Sequence, residues 1–67
     1  MKVMMSNVPR KTAYEIIEGF YTAFCAMNYP VKAYRKGVLH FIDVDDNFRK
    51  TVIRYDDTRS SIIMETE

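Results

Sequence analysis

The chain has 67 residues, 48% of them hydrophobic and 28% charged, a composition that is typical of a folded protein and excludes a disordered one. Its single cysteine, Cys25, excludes an internal disulfide, and its net charge of +1 argues against broad electrostatic attraction to nucleic acid or membranes. No apolar run approaches the ~20 residues of a membrane span, and the first residues are too polar for a signal peptide. We therefore expect one small domain, residues 1–67, in the cytoplasm and without a membrane partner.

The first segment, residues 2–5, is short and apolar and predicts either an edge strand or a loose terminal tail. Two signals then compete for the start of a helix. Asn7 can act as N-cap with Pro9 in the first turn, or Thr12 and Glu15 can form a capping box.

An amphipathic helix is predicted over residues 9–28, where apolar side chains recur at helical spacing. It should end near Asn28, because Pro30 disfavours the helical conformation of the residue before it. The apolar stripe of the helix consists of Ala13, Ile16, Ile17, Phe20, Ala23, Phe24 and Met27, and one flank carries Tyr14, Tyr21 and Cys25.

Four strands are predicted after Pro30, where the apolar period changes from 3.6 to 2. The links between them are short and contain Gly, Asp and Asn, which tolerate the backbone of tight turns, so the sheet should be an antiparallel meander. The predicted strands span residues 31–35, 38–44, 48–55 and 60–65, with turns at residues 36–37, 45–47 and 56–59. The fold class is therefore α+β: one N-terminal amphipathic helix packed on a three- to four-stranded antiparallel meander sheet, with an extra short strand if residues 2–5 are ordered.

Turn geometry sets the strand register, and the register decides which side chains share a face. The predicted turns place Asp43 opposite Lys50, Phe41 opposite Val52, Val52 opposite Ile63, and Lys50 opposite Glu65. In this register opposite charges meet and apolar side chains meet, at ~0.2–1 kcal/mol for each pair. The helix-facing side then holds Val31, Ala33, Val38, His40, Ile42, Val44, Thr51, Ile53, Tyr55, Ile62 and Met64. The outer side holds Lys32, Tyr34, Leu39, Phe41, Asp43, Lys50, Val52, Arg54, Ser61, Ile63 and Glu65.

The outer side of this sheet is the predicted functional surface, because one helix covers only one face and an apolar outer centre with a charged rim is typical of protein interfaces. We expect a non-enzymatic module that binds a protein partner, itself as a homodimer, or both. Inhibitors and regulators of this size are common in phages and mobile elements, so a phage-type accessory protein is the expectation from base rate alone. The expected partner-binding residues are Lys32, Tyr34, Leu39, Phe41, Lys50, Val52, Arg54 and Ile63.

Three other chemistries have weaker signals. The segment 43–47 imitates the start of a calcium loop, but Phe48 stands where that loop needs Gly and Arg54 where it needs Glu, so a hairpin turn is favoured. Cys25 and His40 could form a catalytic pair if they were close together, but packing explains them equally well. We therefore expect no catalytic residue, metal, cofactor or small-molecule substrate.

Single-stranded nucleic acid is the alternative partner. Aromatic and basic side chains alternate along the sequence around Tyr34, Phe48 and Arg54, and such side chains can stack bases and hold phosphates. Against this alternative, the same predicted face carries Asp43 and Glu65.

Overall fold

The computed structural model describes residues 2–41 and 50–66, and the side chains described exclude those of residues 32–34 and 41. One helix packs on one side of a five-stranded antiparallel sheet, which confirms the predicted α+β class. The elements are β1 (Lys2–Met5), α1 (Arg10–Ala26), β2 (Val31–Arg35), β3 (Val38–Phe41), β4 (Thr51–Asp56) and β5 (Ser61–Thr66).

The sheet has the strand order β1-β5-β4-β3-β2. Strands β2 to β5 are neighbours in chain order, which confirms the predicted meander. Residues 2–5 form the extra strand: β1 pairs antiparallel with β5, with Lys2 opposite Glu65 and Met5 opposite Ile62. The two edges of the sheet are therefore β1 and β2.

The start of helix α1 differs from both predicted signals. Pro9 is the N-cap residue, and its carbonyl accepts the first helical hydrogen bond from the Ala13 N–H at 2.9 Å. Asn7 lies outside the helix with φ 60°, where it turns the chain between β1 and α1. Thr12 is already inside the helix, so it forms no capping box. Proline suits this position because its fixed φ of about −65° matches the N-cap φ of −63°, and it has no N–H to leave unpaired.

The helix ends where Asn28 takes a left-handed conformation, with φ 62°. The Asn28 N–H donates to the Cys25 carbonyl at 3.0 Å, and the Tyr29 N–H donates to the Phe24 carbonyl at 2.9 Å. These two bonds form a Schellman motif, and the apolar contact that usually accompanies it is present as the Phe24–Tyr29 ring pair, 5.3 Å between centroids. The predicted end near Asn28 is confirmed, and Asn28 itself supplies the stop together with Pro30.

The β2–β3 hairpin has the predicted two-residue turn at Lys36 and Gly37, so Arg35 pairs with Val38. Gly37 has φ 80°, a conformation that glycine adopts without strain. The predicted register between β4 and β5 is wrong by two residues, because the four-residue turn is 57–60 and Val52 lies opposite Glu65, where the prediction placed Ile63 opposite Val52 and Lys50 opposite Glu65. A shift of two residues keeps the same side chains on each face. The Asp56 carboxylate accepts from the Thr58 and Arg59 N–H groups, at 3.0 and 3.4 Å, and so stabilises this turn.

The predicted register between β3 and β4 is wrong by one residue. Leu39 pairs with Ile53 and His40 with Val52, whereas the prediction placed Phe41 opposite Val52. A shift of one residue exchanges the two faces of a strand. Leu39 therefore points into the core and is 0% exposed, and Val38 and His40 lie on the outer side, contrary to prediction.

Hydrophobic burial explains why the observed β3–β4 register is more stable than the predicted one. Burying a leucine side chain stabilises a fold by about 1.5–3 kcal/mol, whereas a cross-strand charge pair contributes ~0.2–1 kcal/mol. The predicted register kept the Asp43–Lys50 pair at the expense of exposing Leu39. In the structure Lys50 lies in a turn before β4, and Asp43 falls outside the described residues.

The core lies between α1 and the β2–β3–β4 part of the sheet, with β5 contributing Ile62. Its buried members are Val8, Ala13, Ile17, Phe24, Leu39, Ile53 and Ile62. The helix-facing positions predicted for β4 and β5 are confirmed, since Thr51 and Ile53 are buried and Tyr55 and Met64 pack against the core. The predicted helix stripe is confirmed in its centre, but Ala23 and Met27 at its C-terminal end are exposed.

Candidate protein-binding surface

The outer face of the sheet, on the side away from α1, carries a mixture of apolar and charged side chains. Residues directly opposite each other on paired strands share a face, so the register arranges this face in two rows. One row runs Lys2, Glu65, Val52, His40, and the next runs Met4, Ile63, Arg54, Val38. Met4 and Ile63 are adjacent in the second row, but Val52 and Val38 each lie beside polar side chains, so the described part of this face lacks the predicted apolar centre.

The structure separates the residues that were predicted to bind a partner. Val52, Arg54 and Ile63 lie on the outer face as predicted, but Val52 is opposite Glu65 and Ile63 is opposite Arg54. Ile63 is only 1% exposed and Leu39 is buried against the helix, so neither side chain is accessible. Lys50 is exposed in the turn before β4. The side chains of Lys32, Tyr34 and Phe41 lie outside the described part of the structure.

Ion pairs hold several of the charged side chains at the surface. Arg54 donates to the Glu65 carboxylate at 3.4 Å on the outer face, and both side chains are partly exposed. Arg10, at the start of α1, bonds to Asp57 in the β4–β5 turn at 2.8 Å. The Asp57 carboxylate raises the pKa of the Arg10 guanidinium above its ordinary value, first through this hydrogen bond and then through its charge. Exposed pairs of this kind contribute little to stability.

The two candidate catalytic side chains lie on opposite sides of the sheet. His40 is on the outer face beside Val52, whereas Cys25 is exposed on α1, which covers the other face. The expectation that His40 faces the helix is therefore wrong, and a Cys–His pair cannot form. Within residues 2–41 and 50–66, no three His, Cys, Asp or Glu side chains are grouped so that they could hold a metal ion. The aspartate-rich segment 43–47 falls outside those ranges.

Four large apolar side chains of the described residues are about half exposed, and three of them are consecutive in β1. Val3 is 50% exposed, Met4 50% and Met5 51%. Val3 and Met5 pair with Met64 and Ile62 and so lie on the helix side, whereas Met4 lies on the outer side. Because α1 packs mainly over β2, β3 and β4, it leaves the helix side of β1 uncovered. We call Val3, Met4 and Met5 the β1 edge patch.

The β1 edge patch is held in place by the segment that follows it. Val8 is buried in the core, and its N–H donates to the Ser60 carbonyl at 2.8 Å. The Tyr55 hydroxyl donates to the Val8 carbonyl at 2.7 Å. These bonds fix the chain immediately after β1, so the strand is ordered before any partner arrives.

The opposite edge of the sheet, β2, is poorly suited to accept another strand. A bulge interrupts its register between Val31 and Ala33, and Pro30 immediately precedes it. Its sequence also includes Lys32 and Arg35. Bulges, prolines and positive charges are the features by which proteins protect sheet edges from pairing. Strand β1 has neither a bulge nor a proline, and its one charged residue, Lys2, lies at its end, so β1 is the edge of the described sheet that is open to another strand.

The sequence contains a signal for the β1 edge patch, although the apolar composition of residues 2–5 alone predicts only a strand or a tail. Three consecutive large apolar residues, Val3–Met4–Met5, do not alternate with polar ones, so whichever way the strand turns it exposes apolar side chains on both sides. Their position at a sheet edge, beyond the reach of α1, is a tertiary feature that local pattern does not encode.

Comparison of the chain with protein-family models, with curated protein sequences and with solved structures found no match. In the described part of the chain, the helix is too short and too polar to cross a membrane.

Proposed function

We propose that this chain is a non-enzymatic protein-binding module that acts through the β1 edge patch and the adjoining outer face of its sheet. The observation that carries the proposal is the exposure of Val3, Met4 and Met5, each about half accessible, on an unprotected edge strand. Exposed apolar groups on a free edge favour the addition of a strand from another protein, with backbone hydrogen bonds giving affinity and side chains giving specificity.

The outer face next to β1 contributes a second part of the proposed surface. Met4 is half exposed there above the buried Ile63, and the partly exposed Arg54–Glu65 ion pair lies beside Ile63. An exposed apolar side chain bordered by charges is a common arrangement in protein interfaces. The proposed binding protein is an inhibitor, a regulator or a self-associating module, and a single unpaired cysteine suits a reducing, cytoplasmic setting.

Substitution of Met4 tests this proposal. Met4→Lys places a charge in the middle of the β1 edge patch, where the side chain is half exposed, so the monomer should stay folded while association is lost. The measurements are affinity capture with the tagged protein and molecular mass by light scattering, with circular dichroism to verify folding. Wild type should associate with itself or with another protein, and Met4→Lys should reduce that association at least tenfold.

Met27→Lys is the matched control. Met27 is 55% exposed, close to the value for Met4, but it lies at the C-terminal end of α1 and not on the sheet edge. It should associate like wild type. If no association of any kind depends on Met4, or if Met27→Lys weakens binding equally, the proposal is wrong.

Binding of single-stranded nucleic acid has less support. Arg54 is paired with Glu65 on the outer face, and the Lys36 ammonium lies over the Tyr14 ring, 5.4 Å from its centroid. Both cations thus already have partners within the chain. An oligonucleotide titration at low salt with wild type and Arg54→Ala distinguishes the two functions, because phosphate contacts would make binding depend on Arg54 and fall steeply with salt.

A further inference from the structure

The β1 edge has room for one more strand, and we propose that this strand is β1 of a second copy of the chain. The two copies join by antiparallel β1–β1 pairing about a two-fold axis at Met4, which makes one continuous sheet. This inference rests on the proposed function, since it names the partner of the same surface.

The chemistry of β1 defines the strand that it can accept. An added strand must supply backbone N–H and C=O groups and must be apolar on both sides, because β1 exposes Val3 and Met5 on the helix side and Met4 on the outer side. The other edge of the described sheet, β2, carries positive charges and a bulge. Among the described strands, β1 is the edge strand with apolar side chains on both sides. The β1 strand of a second copy therefore has the properties that the added strand must have.

Symmetry restricts how two β1 strands can pair. Two identical edge strands that pair antiparallel are related by a two-fold axis perpendicular to the sheet, and this rotation keeps the helix side of one copy next to the helix side of the other. Opposite residues must therefore come from the same side. Val3 can face Val3 or Met5 of the second copy, but it cannot face Met4.

Two of the registers that satisfy this rule place Val3 opposite a residue of the β1 edge patch, and side-chain chemistry separates them. When the axis lies at Met4, the two Met4 side chains face each other, each Val3 faces Met5, and each Lys2 faces the neutral Ser6. When the axis lies at Val3, the two Val3 side chains face each other, but each charged Lys2 faces the apolar Met4. The register centred on Met4 pairs the three apolar side chains of the β1 edge patch with one another and keeps Lys2 away from them, so it is the favoured one.

The dimer should be weak but specific. The strand is already held in place through Val8, so little conformational entropy is lost on pairing. Four residues from each copy bury much less than the roughly 800 Å² per partner of a standard interface, so we expect a dissociation constant in the micromolar range or weaker. In the dimer the two outer faces form one surface, with the Met4 pair at its centre.

Sedimentation equilibrium over roughly 10 µM to 1 mM covers this range of affinities. The mass of wild type should rise from that of the 7.9 kDa monomer towards twice that value. Met4→Lys should stay monomeric, because the axis at Met4 places its two ammonium groups opposite each other, and Met27→Lys should dimerise like wild type. Equal dimerisation of Met4→Lys and wild type would place the interface elsewhere and overturn the inference.

Disulfide trapping tests the register and does not depend on the stability of Met4→Lys. In a Cys25→Ser background, Met4→Cys should cross-link with itself under mild oxidation, because directly opposite Cα atoms lie about 4.5–5.5 Å apart, within disulfide reach. Val3→Cys should not cross-link with itself, because Val3 and its copy lie on a diagonal of roughly 7–8 Å, but it should cross-link when mixed with Met5→Cys. Efficient self-cross-linking of Val3→Cys without that of Met4→Cys would contradict the proposed axis.

The failure of this inference is distinguishable from failure of the proposed function. If wild type remains a 7.9 kDa monomer at every concentration and Met4→Cys does not cross-link, a second copy is not the partner. Capture of another protein that is lost in Met4→Lys would then leave the proposed function in place with a different occupant of the edge. If no protein is captured in a way that depends on Met4, both the proposed function and the β1–β1 dimer are wrong.

Discussion

At the scale of single residues, the two glycines have opposite roles. Gly19 is exposed in the middle of α1, and a Cβ placed there would meet no atom within 4 Å. Gly37 has φ 80° in the β2–β3 turn, and its Cβ would lie 2.7 Å from Cε1 of the Tyr14 ring. Gly19 therefore lowers the stability of the helix, whereas Gly37 is required by the positive φ of the turn and by the close contact with Tyr14.

Alanine substitutions measure this difference. Gly19→Ala should raise the free energy of unfolding by about 0.5–1 kcal/mol, because alanine loses less backbone entropy in a helix. Gly37→Ala should lower it by about 1–2 kcal/mol, since alanine is strained at positive φ and would displace Tyr14. Urea denaturation monitored by circular dichroism gives both values. A destabilised Gly19→Ala would mean that this side of the helix is covered.

Burial at the residue scale also shows how polar groups are accommodated in so small a core. Thr51 is 0% exposed, and its hydroxyl lies 3.1 Å from the Thr66 hydroxyl. Ser61 is 2% exposed and donates to the Arg59 carbonyl at 2.8 Å. No buried side-chain nitrogen or oxygen of the described residues lacks a partner, so these groups lose little on leaving water.

At the scale of elements, the register of β3 decides the composition of both faces of the sheet. Leu39 opposite Ile53 places two large aliphatic side chains under α1, and it moves His40 to the outer face. The alternative register, which the turn residues favoured, would expose Leu39 and bury the histidine. The difference between the two arrangements is measurable at a single position.

Leu39→Ala should lower the free energy of unfolding by about 2–5 kcal/mol, because it removes a fully buried side chain and leaves a cavity. Val52→Ala, on the half-buried outer face of β4, should cost about 1 kcal/mol or less. Chemical denaturation of both variants tests the register. Should Leu39→Ala be as mild as Val52→Ala, Leu39 would have to lie on the outer face.

At the scale of the whole molecule, 67 residues and one helix give limited stability. A domain of this length is expected to have an unfolding free energy of about 3–10 kcal/mol, so any association of the native state is a substantial addition. Binding through the β1 edge patch would also cover Val3, Met4 and Met5, the apolar side chains that α1 does not reach.

Thermal unfolding should therefore depend on protein concentration. The Tm of wild type should rise as the concentration is raised from roughly 10 µM to 1 mM, because dimerisation stabilises only the folded state. The Tm of Met4→Lys should not change over the same range, and that of Met27→Lys should follow wild type. Calorimetry at several concentrations gives the comparison, and a concentration-independent Tm for wild type would argue against a native dimer.

The amino-acid sequence by itself determined the elements of this protein and their order. The change of apolar period after Pro30, the Lys36-Gly37 turn and the stop near Asn28 are local signals, and local backbone energetics are sufficient to set them. From these signals the α+β class and the antiparallel meander followed directly.

Only the tertiary structure decided which side chains are available for function. The register between β3 and β4 depends on which strand face the helix covers. The observed register buries Leu39, whereas the register that the turns predicted would have formed cross-strand charge pairs. The exposure of Val3, Met4 and Met5 depends on how far α1 extends over the sheet. Both are long-range packing outcomes, because burial is a property of the assembled layers and not of any one segment.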